Sequence, residues 1–317
     1  MPYDLTKRLV IGLSSSALFD LQESDEVFRT KGEQAYRQYQ REKQDEPLER
    51  GVAFPFIRRI LKLNNLCPED PPVEVILLSR NDPDTGLRVM NSIEFYGLGM
   101  TRAIFLQGSS PHKYIPAFDI ELFLSANFQD VKQAVLAGYP AGQILKGDIK
   151  DDLSDAELRI AFDFDGVIAD DEAEAVYKSS GELGEFHRHE SKLANVAHSP
   201  GPLKKFLEKI SDIQKMEILR SDEDASYSPV LKVSIVTARN APSHKRVINT
   251  MREWGILVNE AFFMGGVEKS KVLDVLKPHI FFDDQKLHLE PSSSVLPSVH
   301  IPFGVANDAS ARRGSEE

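Results

Sequence analysis

Two segments of this 317-residue chain, 75–127 and 233–285, match each other without a gap. Ten of the aligned positions are identical, whereas composition alone would give about three. RVMNSIEFYG (88–97) and RVINTMREWG (246–255) show the match most clearly, and apolar positions agree almost throughout. A repeat of this length is typical of a duplicated domain and not of a solenoid. The match therefore predicts two related units in tandem. The alternative is two unrelated segments that share a strand and helix pattern.

Short apolar runs alternate with amphipathic segments in both halves, which predicts the fold class. LRIAFDF (158–164), VSIVT (233–237) and IFF (280–282) have the composition of buried strands. PSHKRVINTMREWG (242–255) has apolar residues at helical spacing and ends in a glycine that would stop a helix. This alternation predicts an α/β fold with a mainly parallel sheet.

Polar stretches set the expected limits of the two halves. DDLSD (151–155) is a polar junction, so we expect one α/β half over residues 1–150 and a second over 151–306. The tail, 307–317, has no apolar periodicity and is expected to be disordered. The charged segment 29–50 is predicted to be a helix with a solvated face, or alternatively with a contact in a homo-oligomer.

Composition limits the partners of the chain. The 38 Lys and Arg residues and 49 Asp and Glu residues give a net charge of −11, which argues against a nucleic-acid polymer as partner. A small phosphate ester remains compatible, because a metal ion and one or two local cations can hold it. No apolar run approaches the roughly 20 residues that span a bilayer, and the N-terminus lacks the apolar core of a secretory signal. Cys67 is the single cysteine, so we expect a cytoplasmic protein with no membrane partner.

The segment FDFDG (162–166) carries the strongest chemical signal. Strand alternation puts Asp163 and Asp165 on the same side of a strand end, with Phe164 opposite. Ligands of parallel α/β sheets bind beyond the carboxyl ends of the strands. Two carboxylates there would repel each other unless a cation lay between them, and hard oxygen ligands suit Mg²⁺. The alternative is an Asp-rich surface turn, which the preceding apolar run disfavours.

Three further motifs follow in the chain. Thr237 ends a second strand, where a hydroxyl and free N–H groups could hold a phosphate. Lys269 follows a glycine pair and could neutralise both a phosphate and a nucleophilic carboxylate; the alternative is a solvated lysine at a helix start. Asp283 and Asp284 end a third strand and add carboxylates for a metal ion.

The order of these motifs resembles that of the haloacid dehalogenase-like superfamily of phosphohydrolases, over about residues 160–290. The insert at about 171–230 falls where those proteins carry a cap domain over the active site. The fold implied is a Rossmannoid parallel sheet with a cap insertion, preceded by a degenerate repeat of the same unit.

The chain as a whole, over about residues 8–305, resembles the cytosolic type I 5′-nucleotidases. The similar stretches include VIGLSSSALFD, VMNSIEFYGL, VTARNAPS, FHRHE, GPLKKFLEKI and KPHIFFDDQ. One departure is that animal members have Gly between the two aspartates and Ala after them, where Phe164 and Gly166 stand here. The resemblance implies hydrolysis of nucleoside 5′-monophosphates such as AMP or IMP.

The resemblance also implies roles for individual residues. Asp163 is the nucleophile that forms a phospho-aspartate, and Asp165 is the acid and then the base. Thr237 and Lys269 bind the phosphoryl oxygens. The implied Mg²⁺ ligands are Asp163, the Asp165 carbonyl and Asp284, with Asp283 in support.

Further substrate contacts are implied for Thr237, Ala238, Arg239, Phe186 and His189. The histidines of FHRHE have two alternatives to a contact with the base or ribose: a structural role and a metal ligand.

The first half lacks this set of residues. Ser14 and Ser16 stand at the acidic positions, Pro111 matches Lys269, and Ser125 with Ala126 matches the late aspartates. This half is predicted to hold no metal and to have a structural, interface or regulatory role, or alternatively to bind a nucleotide without hydrolysing it. Two alternatives to a nucleotidase remain for the chain: a phosphatase or phosphotransferase acting on another small phosphate ester, and a non-catalytic nucleotide-binding regulator.

Overall fold

The structure, a computed structural model, describes residues 3–305 and residue 307. The chain divides into two compact units, Met1–Asp151 and Asp152–Glu317. The tail predicted to be disordered lies, apart from residue 307, outside the described residues. None of the described helices is long and apolar enough to cross a membrane.

The first unit is a five-stranded parallel sheet with helices between its strands. Its strands lie in the order β3-β2-β1-β4-β5. Their bounds are β1 (Leu9–Leu13), β2 (Val73–Ser79), β3 (Arg102–Phe105), β4 (Leu122–Ser125) and β5 (Ala141–Ile144). The helices are α1 (Ser15–Leu18), α2 (Gln22–Glu42), α3 (Phe54–Lys62), α4 (Leu87–Phe95) and α5 (Phe128–Leu136).

The second unit has the same kind of sheet, with strands in the order β8-β7-β6-β9-β10. The strands are β6 (Leu158–Phe162), β7 (Leu231–Thr237), β8 (Glu260–Phe263), β9 (Ile280–Asp283) and β10 (Ser298–His300). The helices are α6 (Glu172–Ser180), α7 (Leu183–Lys192), α8 (Lys204–Glu223), α9 (His244–Glu253), α10 (Ser270–Leu276) and α11 (Lys286–Leu289). The predicted α/β class with a mainly parallel sheet is confirmed.

Each unit therefore arranges its own strands in the same sequence: third, second, first, fourth, fifth. Buried or part-buried polar contacts also recur at matching positions. Leu48 N donates to Ser92 Oγ in the first unit, and His198 N donates to Thr250 Oγ1 in the second. Asn91 Nδ2 donates to Gln44 O, and Asn249 Nδ2 donates to Ala194 O. Arg88 Nη1 donates to Gln40 Oε1, and Arg246 Nη1 donates to Glu190 Oε1. In each pair of contacts, one partner lies at matched positions of the two repeated segments: Ser92 and Thr250, Asn91 and Asn249, Arg88 and Arg246.

The segment between β6 and β7 was expected to be a cap throughout, over about 171–230, and the structure differs in its second part. Helices α6 and α7, here called the helical insert, lie on the loops that follow the strands. Helix α8 instead packs Phe206 against Phe162 and Phe282 of the sheet, with ring centroids 6.2 and 6.0 Å apart. Buried Leu207 and Ile210 continue the same face. Since that face is apolar, α8 belongs to the core of the unit.

The helix predicted over 29–50 also has different limits. Helix α2 begins earlier, at Gln22, and ends at Glu42. It is interrupted at Gly32, whose φ of 80° is a left-handed conformation that glycine adopts readily. Beyond the helix, Leu48 is buried in the unit. The charged composition of 29–50 predicted a helix but not its break, because a single glycine permits a kink without requiring it.

Candidate active site

Buried carboxylates meet a buried lysine at the carboxyl ends of β6 and β9, two neighbouring parallel strands. Asp163 directly follows β6, and Asp283 is the last residue of β9. Lys269, which precedes α10, places its Nζ 2.6 Å from Asp163 Oδ2 and 2.6 Å from Asp283 Oδ2. All three side chains are almost fully buried. The structure thus brings together three of the residues predicted from the sequence motifs.

The charges in this cluster are strongly coupled. Burial disfavours the charge of Lys269, but the carboxylates of Asp163 and Asp283 outweigh it and raise the pKa of the lysine. Burial raises the pKa of Asp163 to about 7 against the opposing effect of Lys269. Burial also opposes ionisation of Asp283, yet Lys269 and His288 lower the pKa of that carboxyl. Lys269 therefore stays cationic and holds Asp283 as its permanent counter-ion.

Asp284 is the unbalanced member of the site. It is 1% exposed, and neither carboxylate oxygen has a hydrogen-bond partner among the described residues. Burial and the neighbouring charges of Asp163 and Asp283 raise its pKa to about 10. A buried carboxylate without a partner is costly unless it binds a cation. This side chain therefore fits a divalent metal ligand.

Gly166 provides the space that Asp284 occupies. A Cβ at this position would lie 2.7 Å from Asp284 Oδ2, and its φ of +69° is left-handed. An alternative set of metal ligands consists of Asp163, Asp283 and His288, because each offers a ligand atom within 4.8 Å of the others. However, Asp283 already accepts from Lys269 and from the main-chain N–H of Gln285. Asp284 is the better direct ligand on this account.

Thr237 lies at the end of β7, the strand beside β6. Its side chain is buried, and its Oγ1 accepts from Arg239 N at 3.3 Å. Ala238, the next residue, is exposed at the same edge of the sheet. A hydroxyl and the N–H groups after this strand could therefore face a phosphate near Asp163.

Arg239 has protein partners on its whole guanidinium group. Nε and Nη2 donate to Asp165 Oδ2 and Oδ1 at 2.7 and 2.6 Å, and Nη1 donates to Glu190. The rings of Phe164 and Phe186 lie 5.2 and 5.4 Å from its Cζ. The structure therefore places Arg239 in an ion-pair chain with Asp165 and Glu190, whereas the resemblance implied a substrate contact for it.

His189 and Phe186 project from α7 into the same region. His189 has ring nitrogens 3.5 Å from Glu172 and 3.4 Å from Glu190. Phe186 is almost fully buried, against Arg239 and Tyr177. A different histidine, His187, pairs its Nε2 with Asn240 at 2.7 Å.

Sequence reasoning missed two residues of this cluster, Glu190 and Arg246. Arg246 lies in the predicted helix over 242–255 without an assigned role, and the structure shows it buried and donating to Glu190 at 2.8 Å. One signal was available: Arg88 and Arg246 are identical across the repeat. An identical charged residue between such divergent halves indicates a buried, paired position.

Opposite stability changes are expected from the same substitution at the two adjacent aspartates, measured in chelator. Asp284→Asn should raise the melting temperature by about 2–5 °C, because the folded protein must keep the buried Asp284 carboxyl protonated at pH 8, whereas an amide is neutral at that pH. Asp283→Asn should lower it by about 5 °C or more, since Lys269 then loses a buried partner. Thermal unfolding at pH 8 measures both; equal signs for the two variants would contradict the assignment.

The increase in melting temperature expected for Asp284→Asn depends on pH, and the direction of this dependence follows from the raised pKa of Asp284. In the metal-free protein the Asp284 carboxyl keeps its proton up to about pH 10, whereas its ordinary value is 3.8. The folded state thus binds more protons between these values, and stability from this group is lost as the pH rises. The advantage of Asp284→Asn should therefore grow between pH 6 and about 9.

Comparison with known proteins identifies the family of the chain. The sequence model of the 5′-nucleotidase family matches residues 1–308. Human cytosolic 5′-nucleotidase 1B is 32% identical over 288 residues, which are 89% of this chain and 47% of that protein, so the chain spans about half the length of this relative. No solved structure matches the chain. The family that the motifs predict is confirmed: the chain belongs to the 5′-nucleotidase family.

Proposed function

We propose that the protein is a Mg²⁺-dependent 5′-nucleotidase, which hydrolyses nucleoside 5′-monophosphates such as AMP or IMP to nucleoside and phosphate through a phospho-aspartate. The observation that carries the proposal is the buried Lys269, 2.6 Å from both Asp163 and Asp283, beside Asp284, whose carboxylate finds no hydrogen-bond partner in the described part of the chain. A phosphate dianion is repelled by a carboxylate nucleophile, so an active site of this kind needs cations in place beforehand. Family membership and the name of the human relative support the substrate class.

Two chemical steps follow from this arrangement. An oxygen of Asp163 forms a bond to phosphorus while the bond from phosphorus to the 5′-oxygen breaks. That oxygen keeps the electron pair and takes a proton from Asp165, so the nucleoside leaves neutral. Water then attacks the phosphorus and gives a proton to Asp165, and the Asp163 carboxylate departs with the bonding pair.

The residues that would hold Mg²⁺ are Asp163, Asp284 and the main-chain carbonyl of Asp165. The support is the orphaned Asp284 carboxylate, whose raised pKa reflects burial without a cation. Asp283 is the supporting acid, because its oxygens are engaged by Lys269 and Gln285. When bound, the ion supplies positive charge that offsets the negative charge of the phosphoryl oxygens.

Other residues of the strand edge would orient the substrate. The Thr237 hydroxyl, the Ala238 N–H and the Lys269 ammonium group are the proposed donors to the phosphoryl oxygens. Phe186 and His189 on the helical insert are the proposed contacts for the base or ribose. Phe186 is buried against Arg239, which supports a position on the side of the base or ribose that faces Arg239.

We also propose that the first unit is a non-catalytic copy of the second. The shared strand order and the matching hydrogen bonds support a common origin. At the positions of the catalytic set it has Ser14, Ser16, Pro111, Ser125 and Ala126. Because none of these is an anionic ligand, one metal ion per chain is expected.

A panel of phosphate esters tests the proposed function directly. AMP, IMP, glucose 6-phosphate and p-nitrophenyl phosphate are compared by phosphate release with saturating Mg²⁺. The nucleoside monophosphates should exceed the sugar phosphate in kcat/KM by about tenfold or more. A preference for the sugar phosphate would favour the alternative phosphatase. Nucleotide binding without release of phosphate would favour a regulator.

A further inference from the structure

A chain of buried ion pairs joins the helical insert to Asp165. Arg239 holds Asp165 through two nitrogens, at 2.7 and 2.6 Å, and its third nitrogen donates to Glu190 on α7. Arg239 and Glu190 are only 4% and 1% exposed. Such a fork leaves the Asp165 carboxylate little freedom to rotate.

Glu190 is in turn fixed from its other side. Arg246 donates to Glu190 Oε1 at 2.8 Å, and His198 Nε2 lies 3.4 Å from Glu190 Oε2. Burial opposes ionisation, but His198 and Arg239 together lower the pKa of Glu190 well below its usual range. The carboxylate is therefore a rigid, charged anchor at the point where α7 meets the loop after β7.

The first unit shows that the fold does not need these charges. The position of Glu190 is held there by Gln40, which accepts from Arg88 as Glu190 accepts from Arg246. The position of Arg239 is held by Asn81. Gln40 and Asn81 both donate to the hydroxyl of Tyr36, each at 3.1 Å. A neutral chain thus joins the same helix and loop in the first unit.

Comparison of the two units distinguishes residues that serve packing from residues that serve the reaction. The arginine that supports the helix is kept in both, as Arg88 and Arg246. Glu190 and Arg239 occur only in the unit that has Asp165, whereas Ser16 stands at that position in the first unit. Buried ion pairs contribute little net stability, because desolvation offsets their attraction. Charges retained beside the acid, where a neutral chain would suffice, indicate a role in the reaction.

We propose that Glu190 is a positioning residue, which orients Asp165 through Arg239 so that the proton donor is in place only when α7 is seated on the loop after β7. This inference rests on the proposed function. In the resulting account, Arg239 serves Asp165 and not the phosphate of the substrate. The helical insert then contacts the loop after β7 and Asp165 adopts its orientation as proton donor at the same time.

The test compares two esters that differ in their need for a proton. The 5′-alkoxide of AMP requires protonation to leave, whereas p-nitrophenolate leaves without it. Glu190→Gln should lower kcat/KM for AMP by about ten- to hundredfold and should lower that for p-nitrophenyl phosphate several-fold less. The parameter kcat/KM is chosen because it reports the steps up to departure of the leaving group. Glu172→Gln is the matched control: Glu172 contacts Arg246 and His189, as Glu190 does, but not Arg239. A loss on AMP that acted through His189 would appear in Glu172→Gln as well, whereas we expect the split between the esters only in Glu190→Gln.

A second variant, which rebuilds the neutral chain of the first unit, is the control for a loss of stability. Phe186→Tyr, Glu190→Gln and Arg239→Asn together should keep a cooperative unfolding transition and show the same split between the esters. Equal losses on both esters in Glu190→Gln and in the triple variant would overturn the inference while leaving the proposed function intact. A wild-type protein that releases phosphate from neither ester would overturn both.

Discussion

Replacement of Asp163 by Asn should lower kcat for AMP by at least about 10³-fold, since removal of a covalent nucleophile has effects of this order. The amide occupies the same volume but is not a nucleophile toward phosphorus. The protein should remain folded, because Lys269 keeps Asp283 as a partner at 2.6 Å. Steady-state kinetics with a circular-dichroism melting curve measure both effects.

Ser14→Ala is the matched control for this variant. Ser14 follows β1 as Asp163 follows β6, but it lies in the unit that lacks the carboxylates. Its substitution should leave kcat within about twofold of wild type, because it changes no residue of the proposed catalytic set. Residual activity above about a tenth in Asp163→Asn would remove Asp163 from the role of nucleophile.

Removal of Mg²⁺ should abolish turnover, and its return should restore it. The site places Asp163, Asp283 and Asp284 around the ammonium group of Lys269, while Asp165 is already paired with Arg239. A phosphate therefore cannot approach without further positive charge. In EDTA, phosphate release from AMP is expected to fall to the level of the Asp163→Asn variant. Full activity in chelator would contradict the metal site.

The number of metal ions bound per chain tests whether only the second unit holds a metal site. Calorimetric titration with Mn²⁺ should give one site per chain, which Asp284→Asn removes. Ser125→Asp, which places one acid in the first unit, should not add a second site, because a metal needs several anionic ligands. Two equivalent sites per chain would show that the first unit is not the inert copy inferred from its serines.

The residues at strand ends were predictable because their positions depend on local rules. Asp163, Thr237 and Asp283 each follow or end an apolar run, and the carboxyl ends of parallel strands share one edge. The sequence therefore predicted which residues would meet before any contact was known. It also predicted Gly255 as the end of a helix, which the structure places just after α9 with a φ of +66°.

Contacts made by the helical insert were not predictable in the same way. Arg239 and Glu190 are 49 positions apart, and Arg239 and Asp165 are 74 apart. No periodicity connects such residues, because their meeting depends on the angle at which α7 returns to the sheet. Helix α8 was assigned to the cap from its place between motifs, although the apolar spacing of Phe206, Leu207 and Ile210 already indicated a core helix.

The central claim is a covalent phosphoryl group on Asp163, and one measurement tests it most directly. The Asp165→Asn variant is mixed with p-nitrophenyl phosphate and Mg²⁺, and the intact protein is weighed by mass spectrometry. Phosphorylation of Asp163 should proceed while its hydrolysis, which needs the Asp165 base, is slow. We expect a burst of one nitrophenolate per chain and a mass increase of one phosphoryl group, both absent when Asp163→Asn is added. Steady release of nitrophenolate with no burst and no added mass would contradict the account.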